Sequence, residues 1–84
     1  MRLELYYGET CPFSAMVCEF IAEHDLGDAI ECFEIDDDGR AANRLEELTG
    51  GKQVPCLVID GSPMLESKQI IAWLVHNKIE RRTG

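Results

Sequence analysis

The sequence has no Cys-x-x-Cys pair, although four of its 84 residues are cysteines, and His24 and His76 have no partners at metal-ligand spacing. The pattern therefore fits poorly with a zinc module and with a secreted domain held together by disulfides. No stretch approaches the roughly 18 apolar residues of a membrane helix, and no apolar run resembles a signal peptide. We therefore expect a cytoplasmic protein that does not act at a membrane.

Basic residues are also scarce. Eight Lys and Arg stand against 16 Asp and Glu, which gives a net charge of −8. Nucleic acids and anionic membranes bind to basic surfaces, so neither is expected as a partner. An anionic small molecule would need a local positive group. With 84 residues, 45% of them hydrophobic, the chain has enough apolar surface for one core, and residues 1–84 are predicted to form a single domain.

The spacing of apolar residues predicts the element order βαβαββα. Strands are predicted at residues 3–7, 29–35, 54–59 and 63–65, and helices at residues 12–24 and 40–49 and from the cap at Ser67 to residue 75. Gly50-Gly51 is predicted to end the second helix, and Asp60-Gly61 to form a tight turn. A parallel strand pair joined through the first helix, followed by a hairpin, would give a four-stranded mixed sheet with helices on both faces. The fold class is therefore α/β, and residues 80–84 are predicted to be a frayed tail.

Cys11 is the candidate for chemistry because it lies where the first strand ends and the first helix begins. Pro12 suits the first position of that helix, where its missing N–H is not needed. A thiol at a helix N-terminus meets unpaired backbone N–H groups and the positive end of the helix dipole, and both stabilise the thiolate. Buried free cysteines are commonly inert, but this placement favours a nucleophile.

Ser14 occupies the position where a dithiol mechanism needs its second cysteine. Cys18 does not replace it, because seven helical residues at about 1.5 Å each place its Cα roughly 10 Å from that of Cys11. A cycle through Cys11 then needs an external thiol to release a mixed disulfide. Cys18 and Cys32 are interpreted as structural or incidental, and the role of Cys56 is left open.

Two later segments are candidates for ligand binding. Pro55 opens a buried strand, either as an ordinary trans residue or after a cis bond that turns the Val54 N–H and C=O toward a peptide-like ligand. Ser67 is predicted to cap the last helix. The same helix N-terminus suits a ligand carboxylate, and Glu66 suits an amine.

Three segments in this order resemble the glutaredoxin family and the similar N-terminal domain of glutathione S-transferases. They are LYYGETCPFS at residues 5–14, VPCLVIDG at 54–61, and MLES with IIAWL at 64–67 and 70–74. The resemblance implies a thioredoxin-like fold, a catalytic Cys11, a cis Pro55, and glutathione as co-substrate with its γ-glutamyl end at Glu66 and Ser67. The glutathione-binding residues that it implies are Phe13, Gln53, Val54, Pro55, Glu66 and Ser67.

The chain also departs from these families. Many glutaredoxins have a lysine two or three residues before the catalytic cysteine, and the matching residue here is Gly8; Lys52, Arg40 and Arg44 are candidate replacements. Pro12 stands where monothiol members usually have glycine. The helical domain that gives a transferase its second substrate pocket has no counterpart in these residues, so conjugation is not expected.

The leading hypothesis is a monomeric, monothiol glutaredoxin-like oxidoreductase that removes glutathione from glutathionylated or disulfide-containing proteins through Cys11. One alternative is an iron–sulfur carrier, in which two copies hold a [2Fe–2S] cluster through Cys11 and bound glutathione; the rigid ring of Pro12 counts against it. Another is a non-catalytic glutathione-binding or partner-docking module, which Gly8 and the acidic surface motivate.

Overall fold

The computed structural model describes residues 1–80, and that part of the chain confirms the predicted order βαβαββα. The strands are β1 (Leu3–Tyr7), β2 (Glu31–Glu34), β3 (Cys56–Ile59) and β4 (Ser62–Met64). The helices are α1 (Pro12–Glu23), α2 (Gly39–Thr49) and α3 (Ser67–Leu74), and a π-helical segment (Val75–Ile79) follows α3. Of the predicted tail, only Glu80 falls within the described residues.

The four strands form one mixed sheet in the order β2-β1-β3-β4. Strand β1 runs parallel to β2, with Leu5 opposite Cys32, and antiparallel to β3, with Leu5 opposite Leu57. Strands β3 and β4 form the predicted hairpin, in which Leu57 pairs with Met64. The mixed sheet with one parallel pair is therefore confirmed.

Each face of the sheet has its own apolar core, which explains why β3 is an almost continuous apolar run. The face covered by α1 and α3 buries Leu3, Leu5, Val17, Ile21, Leu26, Ile30, Leu57, Ile70 and Leu74. The face covered by α2 buries Tyr6, Ala41, Leu45, Cys56 and Val58. None of the helices in residues 1–80 is long and apolar enough to cross a membrane.

Glu4 is a charged residue within the α2 face, with only 2% of its surface exposed. Its carboxylate lies 3.6 Å from Arg2 Nε and 3.5 Å from Arg44 Nε, and it accepts a hydrogen bond from the Tyr6 hydroxyl at 3.3 Å. A buried carboxylate without such partners would be costly, so the two arginines compensate its charge. The sequence pattern did not predict this network.

Two predicted chain reversals have the backbone geometry that their residues favour. Asp60 and Gly61 both have positive φ, 46° and 89°, as in the tight turns that join antiparallel strands. Gly50 ends α2 in the left-handed conformation at φ 83°. The predicted turn at Asp60-Gly61 and the predicted end of the second helix at Gly50 are therefore confirmed.

Two strands are shorter than predicted. Strand β3 begins at Cys56 and not at Val54, because Pro55 has no N–H to donate to the sheet and follows a cis peptide bond. Strand β2 spans only Glu31–Glu34 of the predicted residues 29–35, since Ala29 is held in a turn by its N–H bond to the Leu26 carbonyl at 3.0 Å.

The prediction that Ser67 caps the last helix is wrong. Ser67 is the first helical residue, and Glu66 occupies the cap position without a side-chain hydrogen bond to the helix. The reason is that Glu66 has extended backbone while its carbonyl already accepts the first helical bond, from the Ile70 N–H at 2.8 Å. The N-terminus of α3 therefore has no side-chain cap of its own.

Leu57→Ala tests the role of the central strand. Leu57 is fully buried between β1 and β4, so we expect the substitution to lower the free energy of unfolding by about 3 kcal/mol, which urea denaturation measures. The matched control is Met16→Ala on α1, where 42% exposure predicts a change within about 0.5 kcal/mol. Equal losses in the two variants would contradict this description of the core.

Candidate active site around Cys11

Cys11 occupies the N-cap of α1, and Pro12 is the first helical residue, as predicted. The Cys11 carbonyl accepts the first helical bond from the Ala15 N–H at 2.9 Å, while its Sγ accepts from the Ser14 N–H at 3.4 Å. The thiol S–H donates to the Val54 carbonyl at 3.7 Å. The sulfur therefore lies between an N–H of the helix N-terminus and the segment that precedes β3.

Ser14 is fully buried directly beneath this sulfur. Its Oγ accepts a hydrogen bond from the Gly8 N–H at 3.1 Å, and its own N–H donates to the Cys11 sulfur at 3.4 Å. A serine hydroxyl also has one proton to give, and at this position it favours the thiolate form of Cys11. Sequence analysis treated Ser14 only as a missing second thiol, because the spacing does not reveal which way a buried hydroxyl is bonded.

The pKa of the Cys11 thiol is lowered from the ordinary value of a free cysteine. The largest cause is the hydrogen bond from the Ser14 side chain, and the backbone N–H groups of Ser14 and Phe13 act in the same direction. Burial and the negative charge of Asp36 raise the pKa but do not reverse the result. Hydrogen bonds to the charged form outweigh the cost of desolvating it.

The other three cysteines differ from Cys11 in this respect. Burial raises the pKa of the Cys18, Cys32 and Cys56 thiols. Cys56 is completely buried on the α2 face, and Cys32 is exposed on β2, where its S–H donates to the Ile30 carbonyl at 3.9 Å. Cys11 is therefore the thiol that ionises most readily.

Gly8 is closely packed, with little room for a side chain. A Cβ on Gly8 would lie 3.1 Å from Val54 Cγ2 and 3.4 Å from Cys11 Cβ. The contact with Val54 is short enough that the Val54 side chain would have to shift by a few tenths of an ångström. Glycine at this position thus allows β1, Cys11 and Val54 to approach one another.

The three basic residues considered as replacements lie elsewhere. Arg44 pairs with Glu4 on the α2 face, and Lys52 pairs with Glu46 at 3.8 Å. Arg40 lines a groove beside α2, together with Arg44. None of the three lines the cleft beside Cys11.

That cleft has a volume of about 330 Å³ and lies between the start of α1, the segment before β3 and the start of α3. The Val54-Pro55 bond is cis, which confirms the form that the resemblance implies. The lining residues are Phe13, Gln53, Val54, Pro55, Leu65, Glu66, Ser67 and Lys68. The fold thus brings together all six residues predicted to bind glutathione. Cys11 lies beside them, because its thiol donates a hydrogen bond to the Val54 carbonyl.

The cleft offers both apolar and backbone contacts. The Phe13 side chain forms one wall and is 58% exposed, which is unusual for a large apolar group. The Val54 N–H makes no hydrogen bond within residues 1–80, and the Val54 carbonyl faces the Cys11 thiol. An extended ligand backbone could pair with this free N–H in the way that peptides add to a sheet edge.

Sequence analysis missed two lining residues, Leu65 and Lys68. Lys68 is the only basic residue between Gln53 and Trp73, so its position next to the predicted carboxylate-binding Ser67 was a usable indication. Its side chain is exposed and forms no ion pair within the described part of the chain. Lys68 therefore supplies the positive group that an anionic ligand of this acidic protein would need.

Comparison with known proteins agrees with the resemblance. The model of the family described as Glutaredoxin matches residues 3–64. No curated protein sequence matches the chain. Among solved structures, the thioredoxin-like protein BC3987 is 28% identical with a TM-score of 0.71, and the match covers 87% of this chain and 99% of that one.

Two further structures have the same fold at lower identity. The buckwheat glutaredoxin–glutathione complex is 21% identical with a TM-score of 0.65, covering 94% of this chain and 73% of that one. A diazinon-metabolizing glutathione S-transferase from the silkworm Bombyx mori is 19% identical with a TM-score of 0.75. The match covers 96% of this chain but only 40% of the silkworm enzyme. The fold is therefore thioredoxin-like, as predicted.

Ser14→Ala tests the hydrogen bond beneath the sulfur. Removing the hydroxyl takes away the largest influence that lowers the pKa of Cys11, so we expect the pKa to rise. At a pH below the pKa of Cys11 in the wild-type protein, iodoacetamide should alkylate Cys11 about fivefold more slowly in Ser14→Ala than in the wild type. Mass spectrometry of the Cys11 peptide measures this rate. Ser62→Ala, on exposed β4, is the control and should leave the rate unchanged. An unchanged pH profile in Ser14→Ala would disprove the role of the hydroxyl.

Proposed function

The chain belongs to the glutaredoxin family, and on that basis we propose that it is a glutathione-dependent thiol–disulfide oxidoreductase that works through a single cysteine. One observation carries the proposal. Cys11, with its lowered pKa, lies at the N-terminus of α1 beside a cleft that contains the six residues expected to hold glutathione. These positions support the proposal because they would place a nucleophile next to the binding site of its substrate.

The reaction begins with a protein that carries glutathione as a mixed disulfide. The Cys11 thiolate attacks the glutathione sulfur, the S–S bond breaks, and the protein thiolate leaves and takes up a proton. Cys11 now carries the glutathionyl group. The thiolate of a second glutathione attacks the glutathione sulfur of this adduct, which releases glutathione disulfide and regenerates the Cys11 thiolate.

The bonds to the Cys11 sulfur assist both steps. The Ser14 hydroxyl and the Ser14 N–H stabilise negative charge on this sulfur, which increases the thiolate fraction before attack. In the second step Cys11 is the leaving group, and a thiol of lower pKa leaves faster. The Val54 backbone and the walls of the cleft hold glutathione so that the reacting sulfurs are aligned.

A single-cysteine cycle fits the positions of the other thiols. Ser14 has no sulfur, and Cys18 lies two helical turns further along α1, beyond disulfide reach of the N-cap. Cys56 is buried on the α2 face, whereas Cys32 belongs to β2 at the opposite edge from β4. The thiol that completes the cycle therefore comes from solution.

We extend the proposal to the setting of this reaction. The substrates are glutathionylated or disulfide-containing proteins, and the enzyme acts as a monomer whose residues 1–84 form one domain. A reducing compartment such as the cytoplasm supplies the glutathione that the second step consumes. Four free cysteines are compatible with such a compartment.

Cys11→Ser tests the proposal with a glutathionylated peptide as substrate. We expect the rate of deglutathionylation, followed by coupled oxidation of NADPH through glutathione reductase, to fall at least about a hundredfold because the nucleophile is lost. Cys32→Ser removes an exposed thiol with a raised pKa and should retain the wild-type rate. Wild-type activity in Cys11→Ser would refute the mechanism. Glutathione binding without turnover in the unmodified protein would instead indicate a non-catalytic binding module.

A further inference from the structure

The charges around the Cys11 cleft are unevenly distributed. At the α3 end, Lys68 and Glu66 line the cleft, and both side chains are exposed. Lys68 makes no ion pair within residues 1–80 and is the only cation in the lining. A cation and an anion in the lining of one cleft match the carboxylate and ammonium groups of a free amino-acid head.

The charged side chains that the structure describes along the groove on the Gly8 side of Cys11 are acidic. Asp36 Oδ2 accepts from the Glu9 N–H at 3.0 Å and lies 3.8 Å from the position of a Cβ on Gly8. The negative charge of Asp36 acts on the Cys11 thiol and raises its pKa. The adjoining groove is lined by Glu9, Glu34, Asp37 and other residues, none of them basic.

Within residues 1–80, none of Glu9, Glu34, Asp36 and Asp37 forms an ion pair. Lys52 is the basic residue closest in sequence to Val54, but its Nζ faces Glu46 on α2 at 3.8 Å. A Cβ added at position 8 would lie 3.1 Å from Val54 Cγ2, so a lysine there would require Val54 to shift by a few tenths of an ångström. Gly8 thus brings no cation to this side, and the charge of Asp36 works against binding an anion there.

Glutathione carries two separate anionic ends. Its γ-glutamyl end has an α-amino group and an α-carboxylate, its glycyl end has a second carboxylate, and the thiol lies between them. When the ligand sulfur is at Cys11 and the γ-glutamyl head reaches α3, the amine meets Glu66 and the carboxylate meets Lys68. The glycyl end then extends past Gly8 toward Asp36.

We propose that the cleft recognises the γ-glutamyl head through Lys68 and Glu66 and does not bind the glycyl carboxylate. This inference rests on the proposed function and specifies its substrate class. The protein accepts γ-glutamyl thiols as a class, so γ-glutamylcysteine, which lacks the glycine, serves as well as glutathione. Lys68 is a specificity-determining residue for this class.

The test uses the full chain and four mixed disulfides of 2-thiopyridine. The ligands are glutathione, γ-glutamylcysteine, the glycyl ethyl ester of glutathione, and cysteinylglycine, which lacks the γ-glutamyl head. The Cys11 thiolate attacks the ligand sulfur, the S–S bond breaks, and 2-thiopyridone leaves with a proton, so its absorbance reports the rate. Each second-order rate constant is divided by that of the same disulfide with 2-mercaptoethanol, which removes differences in intrinsic reactivity.

We expect the three γ-glutamyl compounds to react at rates within about threefold of one another, since a screened surface charge such as Asp36 changes binding only slightly. Cysteinylglycine should be at least about fivefold slower. Lys68→Met should lower the three γ-glutamyl rates about fivefold and leave the cysteinylglycine rate unchanged. The matched control, Lys78→Met, removes the same charge from the π-helical segment and should change none of the four rates.

Two outcomes would overturn the inference. If glutathione reacts at least tenfold faster than both γ-glutamylcysteine and the ester, the glycyl carboxylate is bound. In that case, loss of the preference for glutathione in Lys52→Met would identify Lys52 as the residue that binds the glycyl carboxylate. The proposed function would still stand, because glutathione would remain the preferred substrate. If all four compounds react equally and Lys68→Met has no effect, the cleft does not recognise glutathione, and both proposals fail.

Discussion

The buried hydroxyl of Ser14 is the contact on which the site depends. Its Oγ accepts from the Gly8 N–H at 3.1 Å, which offsets the cost of burying a serine. The Ser14 side chain is also the largest cause of the lowered pKa of Cys11. One residue therefore connects the packing at the end of β1 to the chemistry of the thiol.

The sheet explains why three distant segments form one cleft. Tyr6 pairs with Cys56 in the antiparallel ladder of β1 and β3, so the residues after β1 and those before β3 emerge at the same end of the sheet. Strand β4 runs antiparallel to β3 and ends at Met64, which returns the chain to that end just before α3 begins. Cys11, Val54 and Ser67 are therefore brought together by strand direction alone.

Much of this arrangement could be predicted because it depends on periodicity and on local chemistry. The element order, the turn at Asp60-Gly61 and the N-cap position of Cys11 follow from apolar spacing, backbone preference and the place of Pro12. The residues around Pro55 allowed either a cis or a trans bond, and only the resemblance to the glutaredoxin family favoured the cis form. The site residues likewise came largely from the resemblance, and their roles stay predictions although the fold places them around one cleft.

The features that escaped prediction depend on three-dimensional packing. Glu4 is buried because α2 covers its face of the sheet, and its arginine partners come from positions 2 and 44. Ser67 did not become the helix cap because the first helical bond closes at Glu66. The tight contact at Gly8 is likewise decided by Val54, which is far away in the sequence.

The central claim is that Cys11 is an activated thiol that takes up the glutathionyl group. The most direct measurement is the rate of adduct formation when the reduced protein is mixed with glutathione disulfide across a range of pH, with each adduct located by mass spectrometry. We expect one adduct, on Cys11, that forms at a pH where ordinary thiols are still protonated and that excess glutathione removes. Adducts shared between Cys11 and the exposed Cys32, with the pH dependence of an ordinary thiol, would contradict it.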